Sequence, residues 1–190
     1  MNQVRISSRP CSGAKPCLIA TALAALLAAP APGASAREEY ELKAAFLLNF
    51  AKFVEWPVGA YASAGAPLTL CSYGEDPFEG RLLAVARGKT VNGRPLEVRQ
   101  ITAPEEAAAC QVVFVPDPQT RRLREIAEGA RKHPVLIVGE SSNFAERGGM
   151  INFVVEAEHV RFQINPSAAS ACGLRISSKL LQLAIIVGGR

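Results

Sequence analysis

Apolar and polar positions recur with two different periods along this chain, and the change of period divides it. Residues 38–55 place Leu42, Phe46, Asn49, Phe50 and Phe53 at helical spacing, which predicts a helix with one apolar face. Trp56-Pro57 ends it, because the residue before a proline is pushed out of the helical region. A loop of Gly, Ala and Ser follows at 59–66, and residues 68–73 read as a first strand. Asp76-Pro77 opens a helix to about Arg87, with Asp76 as N-cap, Pro77 at the first helical position and Glu79 closing a capping box. Asn92-Gly93 is a turn, 95–101 a second strand, and Thr102 with Glu105 caps a short helix. Residues 111–115 and 135–138 are short apolar runs, the pattern of strands buried on both faces. Between them Asp117-Pro118 caps a helix that reaches about Lys132. Alternation of strands and helices predicts a three-layer α/β sheet.

From residue 150 the period becomes two. Residues 150–156 and 159–165 form an antiparallel hairpin with a tight turn at Ala157-Glu158. That register pairs Phe153 with Phe162, Val155 with Val160 and Ile151 with Ile164 on one apolar face. The other face carries Asn152, Glu156, Arg161 and Gln163. Asn165-Pro166 caps a short helix that Gly173 interrupts. A last helix is expected from 174 to about 187, burying Ile176, Leu180, Leu183, Ala184 and Val187, with Arg175, Ser178, Lys179 and Gln182 opposite. The expected fold is one α/β domain. It has a mixed, mostly parallel sheet flanked by helices, a late antiparallel hairpin and a C-terminal helix. No repeat or long linker marks a second domain.

Composition agrees with a globular chain: 190 residues, 49% hydrophobic and 20% charged. The net charge of +4 changes meaning once it is located. Arg5, Arg9 and Lys15 precede an apolar run at 17–32, and Ala34-Ser35-Ala36 supplies small residues at a cleavage site. This is the plan of a secretory signal peptide, assigned to residues 1–36. Its removal takes three basic residues and none of the 17 acidic ones, leaving about +1. No basic stripe remains for nucleic acid. No later stretch of about 18 apolar residues exists to span a membrane, so a soluble exported protein is expected. Lys15 and Pro16 before Cys17 argue against a lipid anchor. Export meets oxidising conditions, which admits a Cys71–Cys110 bridge and leaves Cys172 over, in an apolar stretch that suits a buried thiol.

Candidate chemistry mostly dissolves on inspection. Gly88-Lys89-Thr90 lacks the earlier glycine of a phosphate loop, since Leu83 stands there. Ser178-Lys179 is not a serine acylase pair, because that chemistry needs Ser three residues before Lys and position 176 is Ile. His133 and His159 have no companions at metal-ligand spacing. No catalytic residue, cofactor or metal is therefore assigned. Asn165 is read as a helix cap. Asn49, amid phenylalanines, is expected to bond a neighbouring loop. Trp56 suits either a core position or an interface anchor. If the late hairpin and last helix pack together, Arg161, Gln163, Arg175, Ser178, Lys179 and Gln182 build a polar, basic surface for an anion or acidic partner.

Four segments also carry a resemblance: KAAFLLNFAKFVEWP at 43–57, GGMINF at 148–153, RFQIN at 161–165 and GLRISSKLLQLA at 173–184. Over residues 40 to 186 the chain resembles the YfiR family of exported bacterial proteins. The resemblance implies a periplasmic, non-enzymatic and often dimeric protein. Its expected partner is the periplasmic part of a YfiN-like inner-membrane diguanylate cyclase, which it represses. A YfiB-like outer-membrane lipoprotein then sequesters the repressor, and cyclic di-GMP and biofilm matrix rise. The family's cysteine pair falls on Cys71 and Cys110. A second pair found in some relatives falls where this chain has Ala145 and Asn152. The competing expectation is a periplasmic small-ligand receptor feeding a membrane sensor such as a histidine kinase.

Overall fold

The computed structural model describes residues 32–188, with side chains from residue 36. Of the expected leader, residues 1–31 lie outside the described residues. Strands β2 (Leu68–Tyr73), β5 (Val112–Val115) and β6 (Leu136–Gly139) contain no exposed residue. They lie side by side and parallel. Alternate side chains of these strands enter two separate cores. Leu68, Leu70, Val112, Phe114, Leu136 and Val138 point to one, Cys71, Tyr73, Val113, Val115 and Ile137 to the other. A sheet with no wet face must be covered on both sides, which is the physical origin of the three layers.

The remaining elements extend and cover this centre. The strands are β1 (Val54–Glu55), β3 (Thr90–Val91), β4 (Arg94–Ile101), β7 (Ile151–Glu156), β8 (His159–Ile164), β9 (Arg175–Ile176) and β10 (Ile185–Ile186). The helices are α1 (Pro32–Phe53), α2 (Arg81–Ala86), α3 (Leu123–Gly129), α4 (Pro166–Ala171) and α5 (Ser178–Leu181). Two 3-10 helices span Pro104–Ala109 and Asp117–Arg122. Among the described residues the main sheet runs β10-β8-β7-β6-β5-β2-β4-β3, and β1 pairs with β9 in a separate ribbon. β4, β2, β5, β6 and β7 are mutually parallel and make a doubly wound order. α1, α2, α4 and α5 supply the first core, and α3 with the Pro104–Ala109 turn supplies the second. The Cys71–Cys110 disulfide lies in the second core, with the two Cα atoms 6.0 Å apart.

The buried stripe of α1 is Lys43, Ala44, Leu47, Phe50 and Ala51, continued by Val54 of β1. The expected face is rotated: Leu42 and Asn49 are exposed, and Phe46 and Phe53 are partly buried. The helix seats Phe50 on Phe153 and Phe162, at 5.5 and 5.0 Å between ring centroids, and this contact sets its rotation. Lys43 is the charged member of the stripe, 3% exposed. Its Nζ donates to Glu140 Oε2 at 2.6 Å and also pairs with Glu39 one turn earlier. Glu140 Oε1 accepts from the Tyr40 hydroxyl at 2.9 Å, and burial together with that carboxylate pushes the phenol pKa upward. Glu140 directly follows β6, so the pair fastens α1 to the carboxyl edge of the sheet.

The hairpin has the expected register, Phe153 opposite Phe162, Val155 opposite Val160 and Ile151 opposite Ile164. Its tip runs past the helical layer, so Val155 is 53% exposed. The caps differ from expectation at three places. Asp76 accepts from the backbone N–H groups of Phe78 and Gly80, closing a turn, and α2 begins only at Arg81. Glu106, rather than Thr102 with Glu105, accepts from the N–H groups of Thr102 and Ala103. Asp117 makes no side-chain cap. Asn165 caps α4 as expected, accepting from Ala168 N at 3.0 Å.

The C-terminal helix contracts to one turn. Residues 174–187 fold instead as β9, α5 and β10. β9 runs antiparallel to β1, β10 runs parallel to β8, and Ser177 Oγ caps the short helix between them. Ile176, Ile185 and Ile186 are β-branched and suit those strands. Arg175, Ser178, Lys179 and Gln182 therefore share no helix face.

Cys71→Ala with Cys110→Ala frees a cross-link between residues 39 apart. The double variant should lose about 3 kcal/mol in urea unfolding, and reductant should no longer change its midpoint. Lys43→Ala strands the Glu140 carboxylate without its buried counter-charge. It should cost about 3–5 kcal/mol by the same measurement.

Candidate interaction surface

The β1–β9 ribbon brings Arg175 against the chain that leaves α1, one residue before Trp56. The register sets Glu55 opposite Arg175, and Ser177 N–H donates to Phe53 O at 3.0 Å. Arg175 Nε lies 3.6 Å from Glu55 Oε2, with the two side chains 83% and 65% exposed. Such a long, wet pair contributes little to stability, so Arg175 is available to another carboxylate.

Trp56 follows β1 and is half-buried. Its Nε1–H donates to Ala51 O at 3.2 Å, the last turn of α1. Its ring meets Tyr61 edge to face at 6.5 Å. The Arg94 guanidinium lies 3.6 Å from the centroid of Tyr61, and its Nη1 donates to Ser63 O and Ala66 O. Arg94 thus staples the loop after Trp56 onto β4. Burial raises the Tyr61 pKa, with the guanidinium opposing it. Trp56, Tyr61, Arg94, Lys52 and Ser177 line an open cleft of about 450 Å³. The Tyr61–Arg94 stack left no trace in the sequence, because its members lie 33 positions apart on a loop and a strand.

Arg161 and Gln163 occupy the polar face of β8, away from this ribbon in the sheet order. Arg161 pairs with Glu156 at 2.9 Å, and both are about half exposed. Gln163 Oε1 accepts from Asn152 Nδ2 at 3.2 Å. Ser178, Lys179 and Gln182 are exposed around α5. No hydrogen bond or ion pair among the described residues joins the hairpin residues to Arg175. Arg175 thus lies on the ribbon, next in the chain to the α5 turn, and Arg161 and Gln163 lie on β8, where Gln163 stands opposite Ile185 of β10. Cys172 is half-buried, and burial raises its thiol pKa.

Among the described residues no group of three or more His, Cys, Asp or Glu side chains is placed to hold a metal. Residues 40–185 match the YfiR/HmsC-like family. The chain belongs to that family. YfiR-like proteins are regulators of cyclic di-GMP signalling in the periplasm rather than catalysts. In fold the chain is similar to a conserved domain protein from Vibrio cholerae O1 biovar El Tor, at 12% identity and a TM-score of 0.52. That match covers 77% of this chain and 59% of the other, so the chain spans less than two thirds of its neighbour's length. An ABC domain in complex with L-Trp from Streptococcus pneumonia matches at 12% identity and a TM-score of 0.45, covering 63% of this chain and 55% of that one. No curated protein matches.

Trp56 is the sole tryptophan and reports directly on this cleft. Arg94→Ala should release the Tyr61 ring, red-shift the tryptophan emission and lower stability by about 1–2 kcal/mol. Fluorescence during urea titration measures both.

Proposed function

We propose that this YfiR-like chain is exported by residues 1–36 and represses a YfiN-like inner-membrane diguanylate cyclase by docking on its periplasmic part. Docking holds the cyclase in an inactive arrangement, and removal of the repressor shifts the population back. Coupling passes through the cyclase itself, since no described helix of this chain is long and apolar enough to cross a membrane. A YfiB-like outer-membrane lipoprotein serves as the competing partner, and the repressor works as a homodimer. The family match over 40–185 carries this reading. The Cys71–Cys110 bridge supports an oxidising compartment.

On the surface, the ribbon patch is the docking site of choice. Trp56 and Pro57 follow Glu55 in the chain and supply partly buried apolar area, and the one ion pair of Arg175 among the described residues, to Glu55, is long and solvated. An aromatic anchor next to an exchangeable charge is the usual composition of an interface centre. Ser178, Lys179 and Gln182 extend that patch, and Arg161 with Gln163 forms a second contact. The receptor reading draws on the cleft under Trp56, Tyr61 and Arg94, which has room for a small anionic metabolite. A rise in melting temperature with such metabolites would favour it.

Arg175→Glu should weaken capture of the cyclase's periplasmic domain at least tenfold in a pull-down or titration. The fold should persist, because the side chain is solvated. Unchanged affinity would remove the ribbon patch from the repressor model.

A further inference from the structure

A larger cleft lies elsewhere, on the side of the sheet that carries the second core. It is about 640 Å³ and lies between the segment 121–131 and the loop joining β6 to β7. Arg121, Arg124, Arg131 and Arg147 line it, with Glu128 as the one carboxylate. None of these four arginines forms a salt bridge among the described residues. The local excess is not a share of a generally basic surface. Residues 37–188 hold 17 acidic and equally many basic side chains, so they are neutral as a whole. An excess of three charges around one cleft in a neutral domain is repulsive unless an anion resides there.

The arrangement is also built. Arg121, Arg124 and Arg131 recur at helical spacing along the segment that α3 centres, and Ile126 and Ala130 bury the opposite side in the second core. Arg147 comes from a loop that the fold fixes. Phe144 is fully buried beneath it, and Gly139 and Gly149 leave room for the ring, since a Cβ at either would collide with it. Arg147 N–H donates to Asn143 O at 3.0 Å, and Asn165 Nδ2 holds Ala145 O at 2.9 Å. The loop therefore presents Arg147 across the cleft from the helical row.

We propose that this cleft binds a multiply charged phosphate anion. A single carboxylate offsets one charge, whereas a diphosphate or a closely spaced pair of phosphates matches an excess of three. Planar guanidinium forks suit phosphoryl oxygens in pairs. The same chemistry is offered by a free phosphate ester and by anionic phospholipid headgroups. The site lies across the sheet from the ribbon that carries Arg175, so its occupancy is separable from docking on the cyclase.

Two probes distinguish the sources: inorganic pyrophosphate, and vesicles of phosphatidylcholine with or without phosphatidylglycerol. Saturable pyrophosphate binding that raises the melting temperature assigns a free phosphate. Binding only to the phosphatidylglycerol vesicles assigns a headgroup. Either result should weaken at least tenfold in Arg124→Glu with Arg147→Glu, two exposed positions. It should be unchanged in Arg87→Glu with Lys89→Glu, which alters net charge equally at exposed positions outside the cleft. The proposal is overturned if the unaltered protein binds neither probe. It is equally overturned if the two double variants lose binding to the same extent, which would make the effect one of overall charge.

Discussion

Strands β2, β5 and β6 have no face open to water, and the rest of the molecule answers to that constraint. β5 and β6 offer apolar side chains at successive positions, not alternate ones, because both neighbours along each strand enter a core, and β2 does so apart from the buried Thr69 and Ser72. Helices are then obligatory on both sides. Each layer is fastened to the sheet by a different device. On the second-core side the Cys71–Cys110 bridge links β2 to the turn before β5. On the first-core side the buried Lys43–Glu140 pair links α1 to the end of β6. The interior of the sheet leaves no room for variable chemistry. Polar side chains that face solvent collect on the loops, on the ribbon and along α3, and those are the places with clefts.

The sequence was most legible where one short-range physical rule decided the outcome. The hairpin register follows from period two and from pairing Phe153 with Phe162, so strand and partner are readable within sixteen residues. The central strands are readable as apolar runs between turn residues. The C-terminal segment was not, because Ile176, Leu180, Leu183, Ala184 and Val187 satisfy a helical period while the segment's strand partners are remote. β9 finds β1, whose residues lie 120 positions away. Once those pairings form, the β-branched positions take the strands and leave α5 a single turn. Tertiary pairing overrode a local periodicity that was itself correct arithmetic.

The same distinction explains what the candidate surfaces showed and concealed. Lys43 sits in a buried stripe that periodicity alone would fill with an apolar residue, and its partner lies 97 residues on. Arg175 was legible as a candidate, yet it lies on β9 and shares no helix face with Ser178, Lys179 and Gln182. β1 sets Glu55, the residue before Trp56, opposite it. The aspartate-proline and asparagine-proline pairs share one appearance in the sequence. Only Asn165 became a side-chain cap of the helix it precedes, whereas Asp76 closes a turn of its own. A cap motif states which donor is near, and the path of the following backbone decides whether a helix starts there.

Polar bonds hold the loop before the hairpin, in the region of Ala145 and Asn152. Ala145 is fully buried, and its carbonyl accepts from Asn165 Nδ2, tying the loop to the start of α4. Asn152 is 1% exposed and donates to Gln163 across the hairpin. Both segments are thus held by amide hydrogen bonds that reductants do not touch. The half-buried Cys172 thiol, kept protonated by burial, is poorly suited to attack the remaining bridge. Among the described residues the disulfide is Cys71–Cys110, in the second core. Gln163 is accordingly divided between two tasks, since the oxygen that holds Asn152 is not free for a partner, while its amide nitrogen still is.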